Sequence, residues 1–363
     1  MAKPVRTQTA STIGAPEAGS YDASMSTPAT VALPFDALES FLDGEGLGHG
    51  PITATPIGEG ASNLTYRLER GETRVVLRRP PPPPLPPSAH DMVREARIQL
   101  GLAPVGVRVP KVLAVCEDDS ILGVPFYLME EIEGTVVSGD ELPPALDTPS
   151  ERRRLGEELL DGLVQLHAVD WEACGLTIGK PTGYLERQLR RWSGLWVLNA
   201  TREVKACVEL GQRLAASIPQ SPPATMVHGD YRLGNVMISN QAPARLVAIL
   251  DWEMATIGDP LADLGYLVAT WSEPGSEAHP LLLTTVTQKP GFPTRQELIA
   301  RYGEQTGRDT SELDWYQAFA LWKAAVFCEA IYKRYLRGER GDEWSASLCD
   351  GVPRLLEVAA GYL

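Results

Sequence analysis

The chain has 363 residues, 44% of them hydrophobic and 22% charged, enough apolar content for a sizeable core in about two domains or one large bilobed unit. Its 33 basic and 47 acidic side chains leave a net charge of −14, which argues against a phosphate-tracking nucleic-acid binder and against a polybasic membrane anchor. No apolar run approaches the roughly 18 residues of a membrane span. The five cysteines form no C-x-x-C pair or zinc spacing, so reduced thiols in a cytoplasmic protein are expected.

Residues 1–34 are rich in Ala, Ser and Thr without an apolar h-region, which predicts a disordered or surface-laid arm rather than a secretory signal. Phe35, Leu38, Phe41 and Leu42 then recur at helical spacing. Three strand-like runs follow at 51–57, 63–68 and 73–79, the last stopping at proline. Residues 80–87 hold seven prolines and one leucine, which reads as a stiff polyproline spacer, with an SH3-type ligand as the alternative. Ser88 reads as a helix N-cap with Asp91 three residues on, opening a helix through Met92, Ile98 and Leu100 that stops at Gly101. Two more strands are expected at 109–116 and 124–132, and Glu133-Gly134 marks a boundary. From Pro149 the pattern turns helical: Leu155, Leu159, Leu163 and Leu166 fit one helix, and Tyr184, Leu185, Leu189, Trp192 and Trp196 another. Short β-like runs at 225–228, 236–239 and 246–250 interrupt before helices return from Ala262, including 315–336. No internal repeat is present. The order is a strand-rich unit over 35–133, then a larger helical unit over 134–363 with small hairpins inside it.

The most specific stretch is His228-Gly229-Asp230-Tyr231-Arg232-Leu233-Gly234-Asn235, followed after a short apolar run and a gap by Ile249-Leu250-Asp251-Trp252-Glu253. A loop of this length can aim Asp230 and Asn235 into one cleft, and a returning hairpin brings Asp251 to the same place. Phosphoryl transfer needs little covalent help; it needs Mg²⁺ on the phosphates, an oriented hydroxyl and cationic clamps. Asp251 and Asn235 supply hard oxygen ligands that suit Mg²⁺. Asp230 can accept the proton of a hydroxyl or orient it for attack. Arg232 can reach a γ-phosphate.

These two blocks, extended by Gly258-Asp259-Pro260 and Asp263-Leu264, resemble the aminoglycoside phosphotransferase and choline kinase-like family, a branch of the protein-kinase-like fold. The resemblance spans roughly residues 36 to 340. It implies an α+β bilobal fold, with a small antiparallel-sheet N-lobe and a larger, mostly helical C-lobe, that binds ATP and Mg²⁺ in the cleft. In the kinase loop H-R-D-x-x-x-x-N the Asp is the base and the Asn a metal ligand; here Gly229 replaces the Arg. The resemblance makes Gly58-Glu59-Gly60-Ala61-Ser62-Asn63 the phosphate loop, with Gly58, Gly60, Ser62 and Asn63 as candidate contacts. It is not a Walker A sequence. The next strand should carry a phosphate-holding lysine, but Arg78-Arg79 stands there. Strand alternation turns only one of the two to the cleft, and we assign Arg78. Its acidic partner on the following helix is Glu95. The segment Phe126 to Gly134 takes the place of the inter-lobe hinge, with Met129 behind the adenine and the backbone of Glu130 and Ile132 reading its edge. Asp259 and Asp263 are expected to brace the catalytic loop, and His167 to be a core histidine.

The acceptor is less legible. Acceptor pockets of this family lie between the catalytic loop and the C-terminal helices. A polycationic aminoglycoside needs a carboxylate-lined pocket, whereas residues 187–192 (RQLRRW) form a basic and aromatic helical segment that favours an anion if it lines the cleft. The segment around Arg78 and residues 184–192 also resemble kinase-type domains fused to acyl-CoA dehydrogenases, which implies a hydroxyacyl-CoA-type metabolite rather than an antibiotic. A protein kinase is disfavoured, since D-W-E stands where D-F-G would be and no A-P-E follows. The remaining alternative is a catalytically silent nucleotide-binding protein, for which the Arg78 exchange is the best argument.

Overall fold

The computed structural model describes residues 33–57, 63–82 and 90–363. The arm over 1–32, the loop 58–62 with Gly58, Gly60 and Ser62, Ser88, and the proline run from residue 83 lie outside the described residues.

The small lobe opens with α1 (Phe35–Gly44), which buries Leu38 and Leu42. Strands β1 (Thr53–Pro56), β2 (Leu64–Arg70) and β3 (Thr73–Arg79) form an antiparallel meander. Helix α2 (Met92–Leu102) precedes β4 (Val112–Cys116), a short α3 (Asp119–Leu122) and β5 (Phe126–Glu130). The sheet order is β1-β2-β3-β5-β4. Its two faces follow from strand alternation. Val75, Leu77, Phe126 and Leu128 pack with Leu38 and Leu42 of α1. Tyr127 faces the opposite way and packs on Met92 and Ala96 of α2, with Met129 against them. Alternation therefore turns Arg78 to the α2 side.

The N-cap of α2 corrects the sequence reading. Asp91, not Ser88, is the cap, and its carboxylate accepts from the Arg94 N–H. An aspartate next to the first helical residue offers the same cap with a charge that favours the helix dipole. The helix also runs one residue past Gly101, into Leu102. β4 and β5 are shorter than the apolar runs that announce them, and α3 was not foreseen because four residues carry no periodicity.

The larger lobe begins with β6 (Thr135–Val136), which pairs with Met237 and Ile238. Next come α4 (Pro149–His167), capped by Thr148 with Pro at its first turn, α5 (Tyr184–Asn199) and α6 (Lys205–Ala216). The blocks 228–235 and 249–253 sit among four short strands, β7 (Thr225–Val227), β8 (Val236–Ile238), β9 (Leu246–Ile249) and β10 (Thr256–Gly258). β8 and β9 form a hairpin, and β10 pairs with β7. Helices α7 (Leu261–Ala269), α8 (Arg295–Thr306), α9 (Leu313–Leu336) and α10 (Glu343–Ala360) follow. The N-terminal two-thirds of α9 is buried on nearly all sides, including Trp315, Phe319 and Trp322, as an element at the centre of a helical core must be. Truncating Phe319 to Ala there would cost about 3–5 kcal/mol. Gly265 lets α7 lie against α9: a Cβ at that position would come within 2.6 Å of the Tyr316 Cβ. That close approach fixes the distance between Asp263 on α7 and the residues of α9.

Candidate active site

The block 228–235 leaves β7 and turns at once. Gly229 has φ +88°, and a Cβ there would meet the Met254 carbonyl oxygen at 2.8 Å, so only glycine fits. Asp263, in the first turn of α7, accepts the N–H groups of His228 (2.6 Å) and Gly229 (2.8 Å). Burial acts to raise the Asp263 carboxyl, but His167 and these donors outweigh it and hold it below the usual range. His167 stands in the core at 3.3 Å from Asp263, with Tyr302 on its other nitrogen. Asp259 accepts from Leu261 N–H and Tyr316 Oη. Asp263 thus braces the loop directly, whereas Asp259 ties the start of α7 to Tyr316 of α9.

His228 braces it from below. The Leu250 carbonyl can only accept, so Nε2 carries the proton (2.8 Å). Nδ1 then accepts the Asp230 N–H (3.3 Å). The His228 ring packs on Trp252, and Tyr231 Oη donates to the Leu159 carbonyl. Tyr231 is the buried anchor of the loop, while the Asp230 side chain keeps 28% exposure to the cleft.

Three polar groups meet Asp230. Asn235 Nδ2 donates to its backbone carbonyl (2.8 Å) and to Oδ2 (2.6 Å). Arg232 Nε lies 3.5 Å from Oδ1, an oxygen with no hydrogen-bond donor among the described residues. The Tyr266 hydroxyl of α7 lies beside the same carboxylate, and burial first, then Asp230, pushes it well above its ordinary value.

Asp251 enters at the end of β9. The Leu250 N–H donates to the Asn235 carbonyl (2.9 Å), which sets the two segments side by side. Asp251 itself adopts a left-handed backbone, φ +65°. Its Oδ1 accepts from Arg78 Nη2 at 2.7 Å, while Arg78 Nε donates to Glu95 Oε2 at 2.9 Å. Glu95 is 1% exposed and also receives Asn63 Nδ2 (3.2 Å) and, at 3.4 Å, Tyr127 Oη. Burial pushes the Glu95 carboxyl up to about 7 against the pull of Arg78. For Arg78, burial is outweighed by Glu95, Tyr127 and Asp251, and the guanidinium stays above its usual range.

Asn63 also donates to Glu253 (3.3 Å), and Arg94 of α2 reaches the Glu253 carbonyl (3.1 Å) and that of Ala255. The small lobe is thereby tied to the turn after Asp251. Carboxylate oxygens of Glu95, Asp251 and Glu253 lie within 4.8 Å of one another. Three carboxylates around one guanidinium leave an excess of hard anionic oxygen. Asn235 turns its NH₂ to Asp230, so its carbonyl oxygen turns away. This donor set fits a hard dication such as Mg²⁺.

Asp230, Arg232, Asn235, Asp251, Arg78, Glu95 and Asn63 are therefore brought into one linked cluster. Arg79 is turned away, buried and bonded to the Pro80 carbonyl. Met129, Glu130 and Ile132 lie apart from the cluster, on the connection between the lobes. The Glu130 N–H and carboxylate are spent on Lys111. Arg187 of the basic segment caps the carbonyls of Lys180 and Thr182, and Trp192 is buried. Tyr266 and Lys323, which faces Asp230 from α9, were not foreseen; a tyrosine and a lysine inside apolar helical runs carry no motif of their own. Beside Arg232 a small cavity is walled by Leu233, Thr270, Trp271, Leu281 and Thr287, with no carboxylate among its described lining.

Mouse acyl-CoA dehydrogenase family member 10 is 37% identical over 317 residues, 85% of this chain and 29% of that protein. The chain spans less than half the length of the curated relatives it matches. The solved structure of a candidate aminoglycoside phosphotransferase from Ralstonia eutropha superposes with a TM-score of 0.77 at 30% identity, covering 90% of this chain and 97% of that one. An aminoglycoside phosphotransferase solved with AMP-PNP and hygromycin B shares the fold, with a TM-score of 0.57 at 16% identity over 90% of this chain and 99% of its own. The profile of the phosphotransferase enzyme family matches residues 53–316. On that match and on its bilobal kinase-like fold, the chain belongs to the phosphotransferase enzyme family.

Proposed function

We propose that this chain is a Mg·ATP-dependent O-phosphotransferase that moves the γ-phosphoryl group of ATP to a hydroxyl of a small molecule. The observation that carries the reading is the convergence of Asp230, Asn235 and Asp251. Asn235 Nδ2 reaches Asp230 Oδ2 at 2.6 Å, and its carbonyl holds the residue before Asp251. We take residues 35–133 as the nucleotide-binding lobe, 134–363 as the lobe with the catalytic loop and acceptor site, and 1–34 as an arm.

In this mechanism the partly exposed Asp230 carboxylate receives the hydroxyl proton. The freed hydroxyl oxygen bonds to the γ-phosphorus as the bond to the β-γ bridging oxygen breaks. ADP and the phosphorylated acceptor leave, and the proton passes from Asp230 to solvent. Asn235 and Asp251 hold Mg²⁺, which when bound neutralises charge on the phosphate oxygens. Arg78, oriented by Glu95, takes the nucleotide phosphates together with Asn63 and the loop containing Gly58, Gly60 and Ser62. Arg232 steadies the transferred group. Met129 backs the adenine, with the backbone of Glu130 and Ile132 at its edge. The AMP-PNP in the hygromycin B complex supports a nucleotide in this cleft.

A cavity beside Arg232 without carboxylates favours an acceptor other than a polycationic antibiotic. The acyl-CoA dehydrogenase names of the relatives support a hydroxyacyl-CoA-type metabolite. We place the protein in the cytoplasm, apart from membranes and nucleic acid. Its free cysteines support this, and among the described residues no helix is long and apolar enough to cross a membrane.

A second reading is a silent nucleotide-binding protein, favoured by the ion pair in which Arg78 occupies Asp251. ADP release from Mg·ATP decides between them, measured across aminoglycosides, choline, sugars and hydroxyacyl-CoAs with Asp230→Ala as control. Acceptor-dependent release that the substitution abolishes supports the kinase. Release that is absent throughout, with ATP still bound, supports the silent protein.

A further inference from the structure

Lys323 is the one lysine of α9 that points into the protein beside the catalytic loop. It is 9% exposed, and its ammonium lies over the Phe319 ring (4.9 Å) and the Trp192 ring (5.9 Å). Among the described residues it has neither a hydrogen-bond acceptor nor an ion pair. A buried ammonium left in that state costs several kcal/mol, so a chain with no use for the charge would be more stable with an apolar side chain there.

The groups around Lys323 indicate what the charge is for. Burial lowers its pKa to about 8; Asp263 of α7 and Asp230 of the catalytic loop oppose that, and Arg191 of α5 adds to it. Asp263 is already committed to two backbone N–H groups and to His167. Asp230 holds Asn235 and lies beside Arg232 and Tyr266. Neither carboxylate is a dedicated partner. Arg191 brings a second cation to this space.

We propose that Lys323 is an acceptor-binding residue whose ammonium holds an anionic group, a small oxyanion, on the molecule whose hydroxyl is presented to Asp230. This rests on the kinase reading above for the word acceptor, whereas the anion site rests on the burial of Lys323 and its place over the two rings. The aromatic rings of Phe319 and Trp192 keep the ammonium in place. An arriving oxyanion then gains the interaction that no protein group supplies.

The test uses the full chain with ¹³Cε-labelled lysine, whose NMR signal for Lys323 is the one missing in Lys323→Met. Inorganic phosphate, lactate, glycerol and choline chloride are titrated in separately. A saturable shift of the Lys323 signal with phosphate or lactate, and none with glycerol or choline, is the expected result. Phosphate against lactate tells whether the site prefers a phosphoryl or a carboxylate oxyanion. Lys323→Met is expected to melt no lower than wild type, because a methionine keeps the packing and removes the buried charge. An unmoved Lys323 signal with both anions, or a clear fall in the melting temperature of Lys323→Met, overturns the proposal and leaves a purely structural cation. Because the readout needs no turnover, loss of the kinase reading appears separately, as absent ADP release beside an intact anion response.

Discussion

Arg78 Nη2 reaches Asp251 Oδ1 across the cleft at 2.7 Å, while Arg78 Nε holds Glu95 at 2.9 Å. One guanidinium thus closes a three-residue chain from the small lobe to the Asp251 turn of the larger one. A lysine has no fork with which to hold both carboxylates in this geometry. Arg78→Ala would leave Glu95 buried without its cation, at a cost of about 3–5 kcal/mol. We expect a lower melting temperature for Arg78→Ala and a smaller loss for Arg78→Lys, read by circular dichroism. Equal melting of Arg78→Ala and wild type would show that the pair contributes nothing.

On the mechanism proposed above, Asp230→Ala removes the proton acceptor and leaves the nucleotide contacts in place. Turnover should fall about 10²–10⁴-fold, the range for losing a general base. ATP affinity, measured by calorimetry, should stay unchanged. Retained turnover would end the base assignment.

Asp251→Ala bears on the metal. Wild-type binding of ATP should tighten when Mg²⁺ is added, and the variant should bind ATP equally with or without it. If Mg²⁺ still tightens binding in the variant, the ion is held elsewhere.

Gly229→Ala tests the turn beneath Asp230. A left-handed alanine costs about 1–3 kcal/mol, and its Cβ would meet the Met254 carbonyl at 2.8 Å. The expected result is lost activity together with a lower melting temperature. Asp263 is then holding a loop that can no longer close on it.

Lys323 gives a pH-dependent prediction with a definite sign. Its pKa is lowered from 10.5 to about 8 on folding, chiefly by burial. Between those values the unfolded chain binds more protons than the folded one, so this group's contribution to stability rises with pH across that window. The melting-temperature difference between Lys323→Met and wild type should therefore be largest below pH 8 and shrink towards pH 10.5. A pH-independent difference would mean that Lys323 titrates normally.

The convergence of the blocks 228–235 and 249–253 was legible because their spacing is local. Five residues from Asp230 to Asn235 and one hairpin to Asp251 leave the chain little choice of geometry. The choice of Arg78 over Arg79 was legible for the same reason, since the two-residue repeat of a strand is fixed by its backbone. Asp91 was misread because Ser88 and Asp91 are both good caps, and sequence alone does not show where the first turn closes. Tyr266 and Lys323 were illegible for a different reason. Their meaning comes from α7 and α9 meeting at Gly265 and Tyr316, more than 50 residues apart in the chain for Tyr266 and Lys323, and helical periodicity records only which side of a helix is apolar.

The left-handed backbone at Asp251 has a consequence for how this site can change over generations. Glycine, asparagine and aspartate accept that conformation readily; a glutamate there is strained. Single substitutions that keep the turn relaxed therefore lead to Asn or Gly, and both discard the negative charge. A lineage that drifts at this position keeps its fold and loses, in one step, the carboxylate that Arg78 holds across the cleft.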